Sequence, residues 1–278
     1  MVAAALTAGW RPQTVFLREE GADELGERLG LRAAGAADGA SSGPGAPGVF
    51  VVGDRVAARI STLETPADVV AVLPLPERRP LASLLGPATS PKTAALRRAS
   101  GAPSASSERA GLLVVYVDGV QDPGNVGTLV RAAVAFGASA LVTSSGAADP
   151  YGPKAVRAAM GALFGLPVFP DLPLADVVDQ LPATKVYGLA AHGGKTLDDA
   201  DLRRPAVLVV GAERAGISRA AVGHVDRLVT IPLSAPPGGA VESLNAGVAG
   251  AIALYEFSRR SAGASEDPSR RTSAAQEG

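Results

Sequence analysis

Leu112–Arg131 reads LLVVYVDGVQDPGNVGTLVR: an unbroken apolar run, a polar turn, then apolar residues at helical spacing. Six consecutive apolar residues between Gly111 and Asp118 predict a strand buried on both faces. Asn125 is expected to cap the helix that follows, because its side-chain oxygen can accept an orphan N–H. Arg131 then falls nearly two turns into that helix, among Val126, Leu129, Val130 and Val134. A capped helix with one snorkelling arginine explains this segment as readily as a functional site does.

The same alternation continues outward. Ala140–Thr143, Val186–Ala190, Val207–Val210 and Leu228–Ile231 read as buried strands. Asn125–Phe136, Pro153–Met160, Leu174–Leu181, Ser218–Val225 and Ser243–Arg259 read as helices. The pattern predicts an α/β fold with a mostly parallel sheet covered on both faces. Ligands of such sheets bind at loops leaving the C-terminal ends of the strands. Besides the first, two such loops stand out: GAERAGIS at Gly211–Ser218 and IPLSAPPGGAVESLN at Ile231–Asn245. Gly211 admits a tight backbone turn or a close ligand. Ser218 suits a helix cap, and Ser243 and Asn245 lie at the start of a long helix, where unpaired N–H groups favour an anion. In that helix Leu244, Val248, Ile252 and Tyr255 form an apolar stripe of the kind that usually faces a core.

Before this region, residues 1–80 alternate between short strands and helices (Thr14–Leu17, Ala22–Leu31, Val49–Val52, Asp54–Ile60, Val69–Leu73), which predicts a small α/β module. It is interrupted by a Gly/Pro/Ser loop at Gly35–Gly48. Residues 81–110 read as a linker, 111–260 as the main domain, and 261–278 as a disordered polar tail. The 278 residues are 47% hydrophobic and 19% charged, enough for a buried core; aromatics are only 4%, so Val, Leu, Ile and Ala must build it. The absence of cysteine excludes a disulfide framework or thiolate metal site. No apolar run of about 18 residues occurs, and the first residues lack a basic leader, so a soluble, cytoplasmic protein is expected. The net charge of −1 gives no support to a nucleic-acid partner. Local pairs such as Arg78–Arg79 and Arg97–Arg98 show that bulk charge does not decide the matter.

Taken in order, DPGNVGT-x-x-R, GxExxGxS and IPL…ESLN…LYE over residues 112–260 resemble the motifs of the SpoU/TrmH branch of the SPOUT methyltransferases. Each piece is modest alone; jointly they are specific. The resemblance implies an S-adenosylmethionine-dependent RNA 2′-O-ribose methyltransferase acting on ribosomal RNA first and transfer RNA second. It assigns Arg131, Asn125, Glu213, Ser243 and Asn245 to the catalytic site, and Gly211, Ile231, Leu233 and Leu244 to the cofactor, S-adenosyl-L-methionine. It further implies a trefoil knot, a homodimer with the active site near the subunit interface, and no metal. The module at 1–80 is similar to a ribosomal-protein-like RNA-holding domain; opening in what reads as the end of a helix, it is expected either to lack its first strand and helix or to begin downstream of the true start. Ala212 and Arg214 depart from the Asn and Gly often found in the second motif. Ala246–Gly247 depart from the Val–Ser of the third, so Gly247 is expected to weaken one cofactor contact.

The chemistry requires a ribose hydroxyl in line with a sulfonium methyl, which makes positioning the main task. Deprotonating an arginine at pH 7 costs about 7–9 kcal/mol, so Arg131 is read as a cation that holds a phosphate and stabilises developing alkoxide charge. Glu213 is expected to orient Arg131 or receive its charge, and Asn125 to support the loop or the RNA. GLAAHGGKT at Gly188–Thr196 fails as a phosphate loop because Leu189 stands where its first glycine belongs. His192 and His224 lack metal-ligand spacing and read as loop or surface residues. Two rivals remain: a catalytically silent RNA-binding relative, and a nicotinamide-dependent oxidoreductase, which the missing GxGxxG disfavours.

Overall fold

The computed structural model describes residues 1–31, 47–61, 65–85, 111–234 and 243–263. Most of the expected loop at 35–48, of the expected linker and of the expected tail lies outside them, and Gly48 belongs to a strand. The chain divides into two units, Met1–Glu77 and Arg78–Gly278.

In the first unit, α1 (Val2–Thr7) precedes β1 (Thr14–Arg18), α2 (Ala22–Leu29), β2 (Gly48–Val52), α3 (Asp54–Ile60) and β3 (Val69–Val72). The sheet order is β2-β1-β3, with β1 parallel to β2 and antiparallel to β3. Val15, Leu17 and Val49 alternate onto one face, where they form a small core with Ala22 and Leu25 of α2.

The second unit begins with a 3-10 turn at Leu81–Leu85. Leu81 is buried in the core of this unit, so the stretch expected to open a linker is structured here. There follow β4 (Leu113–Asp118), α4 (Pro123–Ala135), β5 (Ala140–Thr143), α5 (Pro153–Ala158), β6 (Val168–Phe169), α6 (Leu174–Gln180), β7 (Lys185–Leu189), β8 (Lys195–Thr196), β9 (Ala206–Gly211), α7 (Arg219–Val222), β10 (Arg227–Thr230) and α8 (Ala246–Gly263). Seven strands form one sheet in the order β6-β5-β4-β9-β7-β10-β8, and every pair is parallel.

Every residue of β4 and β9 is buried. Odd and even positions separate by face, as a pleated strand requires. Leu113, Val115 and Val117 join Val126, Leu129, Leu254 and Phe257 of α4 and α8. Leu112, Val114 and Tyr116 join Leu174, Val177 and Leu181 on the other side. Each such aliphatic side chain contributes about 1.5–3 kcal/mol on burial, so the two central strands anchor the loops at their C-terminal ends.

Two further features fix α4, the helix that carries Asn125 and Arg131. Its cap is Asp122 rather than Asn125: Pro123 occupies the first turn and the Asp122 side chain accepts from the Gly124 N–H. An aspartate followed by proline is the stronger start signal, because proline's missing N–H is an orphan there anyway. At the other end, the half-buried guanidinium of Arg204 donates to the carbonyls of Phe136, Gly137 and Gly111.

Candidate active site

Asn125, displaced from the cap to the third residue of α4, is buried at 8% exposure. Its Nδ2 donates to Glu213 Oε1 at 2.5 Å, and its Oδ1 accepts from Asn245 Nδ2 at 2.8 Å. Asn245 Oδ1 in turn accepts from the Val248 N–H at 3.1 Å, capping α8. The directions are forced. A carboxylate can only accept, so Asn125 must turn its amide nitrogen to Glu213 and its oxygen to Asn245. Three loops separated by 88 and 120 residues of sequence are thereby tied into one polar chain.

Glu213 sits on a closed hairpin. β9 ends at Gly211, and Ala212 and Gly216 exchange backbone hydrogen bonds of 3.0 and 2.9 Å, leaving Glu213, Arg214 and Ala215 at the tip. A side chain at Gly211 would press into the Gly216 backbone, so the tight turn, not a ligand, demands glycine there. Asp118, at the end of β4, accepts from the Ser218 N–H at 2.6 Å and holds the base of the hairpin. Ser218 caps α7 through the Ala221 N–H.

Beside this hairpin lies a cavity of about 620 Å³. Leu189, Val210, Ile231, Leu233 and Leu244 supply apolar walls, while Gly211, Glu213 and Ser243 also line it. Its size and its mixture of apolar walls with few polar groups suit a small cofactor. All four expected cofactor residues are therefore here, together with Glu213 and Ser243. His192, read as a loop or surface residue, lies in a loop that forms part of this wall, and the exposed Arg214 borders the cavity on its solvent side. Gly247 does not line the cavity. A Cβ there would meet the Thr128 side chain at 3.1 Å, so its lost hydroxyl belongs to the contact of α8 with α4, and the walls are made by Ala246 and Ala249.

Arg131 is the exception. It lies six residues beyond Asn125, which along a helix is about 9 Å of rise and roughly 240° of turn. It is exposed, and no hydrogen bond or ion pair links it to a described residue. The solvent-facing sides of α4 and α8 also carry Val134 at 41% exposure, Val248 at 47%, Ile252 at 38% and Tyr255 at 52%. The stripe Val248–Ile252–Tyr255 thus points away from the core, contrary to the sequence expectation. The slim residues of α8 take the buried side instead: Ala246, Gly250 and Ala253, with Leu254 and Phe257.

The model of the SpoU rRNA methylase family matches residues 112–255, half of the chain and the whole of the site just described. The chain belongs to this family. It is 39% identical over 146 residues to the 23S rRNA (guanosine(2553)-2′-O)-methyltransferase of Bacillus subtilis, covering 52% of this chain and 57% of that protein. It is 36% identical over 159 residues to the 23S rRNA (uridine(2479)-2′-O)-methyltransferase of Streptomyces viridochromogenes, covering 55% and 54%. The chain thus spans about half the length of the curated relatives it matches. Among solved structures, the SpoU methyltransferase AviRb from Streptomyces viridochromogenes in complex with AdoMet aligns over 94% of this chain and 88% of that one, with a TM-score of 0.70 and 26% identity. AdoMet-bound rRNA methyltransferase from Sinorhizobium meliloti aligns over 93% and 84%, with a TM-score of 0.68 and 26% identity. No helix among the described residues is long and apolar enough to cross a membrane.

Proposed function

We propose that this SpoU-family protein transfers a methyl group from S-adenosylmethionine to a ribose 2′-hydroxyl of RNA, with ribosomal RNA as substrate. The observation that carries the reading is the Asn245–Asn125–Glu213 chain, which reaches the cavity at Glu213. The cavity fits the cofactor: Gly211, Ile231, Leu233 and Leu244 line it, and Glu213 and Ser243 supply polar groups. When bound, the sulfonium supplies an activated methyl that needs no further electronic assistance. Asn125 fixes one Glu213 oxygen and leaves the other without a described partner, free to orient a guanidinium or a ribose hydroxyl. Ser243 and Asn245 hold the substrate at the head of α8. The related 23S enzymes favour ribosomal over transfer RNA.

Arg131 serves as the cation that grips the target phosphate and steadies developing alkoxide charge. Because it is exposed and makes no hydrogen bond or ion pair to Glu213 within one subunit, we assign it to the site of a second copy. The protein is then a homodimer joined through the apolar face of α4 and α8, with the partner's Arg131 completing each site. The trefoil knot belongs to the same proposal. Its support is that β10 lies between β7 and β8, so the chain leaves it from within the sheet; the path at 235–242 lies outside the described residues. For the first unit we propose contact with RNA bases rather than phosphates. Residues 1–77 hold six Lys and Arg against ten Asp and Glu, net −4, while Phe16 and the exposed Phe50 stack on its sheet. The protein is expected to work in the cytoplasm.

Ribose-methylation mapping of ribosomal and transfer RNA from cells with and without the protein tests the reading. One ribosomal site missing without the protein is the expected result. Identical maps, with no labelled methyl transferred to RNA by the purified protein, would reject it in favour of a silent RNA-binding relative.

A further inference from the structure

We infer that Arg214 holds a phosphate of the incoming RNA at the mouth of the donor cavity; the inference rests on the RNA methyl-transfer reading above. Arg214 stands where the family motif often has glycine. It sits at the tip of the hairpin closed by Ala212 and Gly216, and its backbone is fixed from three sides. β9 carries the hairpin, Asp118 holds its base through the Ser218 N–H, and Glu213, one residue away, is tied to Asn125. The Arg214 side chain is exposed and has no hydrogen bond or ion pair to a described residue. A rigid backbone presenting an unengaged guanidinium suits capture of a ligand from solvent, because the ordering of the main chain is already complete.

Electrostatics indicate which ligand. A target ribose is flanked by phosphates on both sides, and the mechanism brings it beside the Glu213 carboxylate. That carboxylate alone would repel the strand. A cation on the next residue offsets the repulsion, and a guanidinium fork can hold a phosphate through two hydrogen bonds. The donor's own carboxylate is the competing anion. Of the residues lining the cavity, however, Leu189 and Val210 are buried, whereas Arg214, Ala215 and Gly216 are exposed to the solvent from which a polynucleotide would arrive.

The test measures binding of an unmodified 23S rRNA transcript by fluorescence anisotropy between about 50 and 200 mM salt, with S-adenosylmethionine affinity measured separately by calorimetry. For Arg214→Ala, RNA binding should weaken about three- to tenfold at low salt, and the slope of log affinity against log salt should fall by about 0.7–0.9, one phosphate contact. Cofactor affinity should not change, Arg214→Lys should keep the slope, and the loss in turnover should appear in KM for RNA. An unchanged RNA slope would overturn the inference. So would a loss of cofactor affinity in its place, which would give Arg214 to the donor. Binding is read independently of turnover, so a parent protein that binds RNA without methylating it would sink the functional reading while the variant's slope still decides Arg214.

Discussion

Asn125 and Arg131 lie on the same helix and are predicted to fail differently when replaced. Asn125→Ala breaks both hydrogen bonds of the polar chain, but Glu213 and Asn245 are exposed and can turn to water. The expected stability loss is therefore only about 1 kcal/mol. Turnover should fall about 100-fold, because Glu213 loses its fixed direction. Arg131→Ala should leave protomer stability within about 0.5 kcal/mol of the parent, as expected for a side chain exposed and without partners in its own subunit, while kcat drops at least about 100-fold. Melting curves beside single-turnover methylation would separate the two. Equal and large stability losses would show that the polar chain is a core element rather than a site. At this scale the residue types were legible in the sequence and their geometry was not. The preference of asparagine for helix caps points to a cap at 125, and Asp122–Pro123 outcompetes it, which frees Asn125 to reach Glu213.

At the level of elements, the closed hairpin after β9 leaves no room for a methyl group at Gly211. Gly211→Ala should abolish detectable binding of S-adenosylmethionine in calorimetry while the chain remains folded by circular dichroism; full affinity would refute the hairpin's role. α8 offers a pH test. Glu256 is buried, and the Arg259 and Arg260 guanidinium groups hold its carboxyl below the ordinary glutamate range. Arg260 also donates to the carbonyls of Leu197, Asp198 and Ala200. A depressed pKa stabilises the fold above the unfolded value and loses that contribution as pH falls through the folded one. Glu256→Gln should thus cost about 1–3 kcal/mol at pH 7. The gap should close in acid, as the parent's own carboxyl becomes protonated; a gap independent of pH would contradict the ion-pair account. The central strands were readable because unbroken apolar runs, six residues at Leu112–Val117 and four at Val207–Val210, suit strands buried on both faces. β6 and β8 have two residues each, too few to show a period in the sequence.

The whole molecule poses the question that one subunit leaves open. Val248, Ile252 and Tyr255 make a regular helical stripe, and such a stripe shows that one face is apolar without showing what covers it. The Ala and Gly positions of α8 hide in the protomer instead, since a slim surface lets α8 approach α4 closely. Ile252→Glu together with Tyr255→Glu should convert a dimer to a monomer in sedimentation, with little change in protomer stability and with loss of methylation. A dimer that persists would place the interface elsewhere. The central claim is that each site joins Glu213 of one subunit to the partner's Arg131, and complementation tests it most directly. Arg131→Ala and Glu213→Ala proteins, each inactive alone, are unfolded, mixed in equal amounts and refolded together. Half of the resulting dimers would be mixed, each with one intact site, so methylation should return to about a quarter of the parent level. A mixture as inactive as its components would contradict the account.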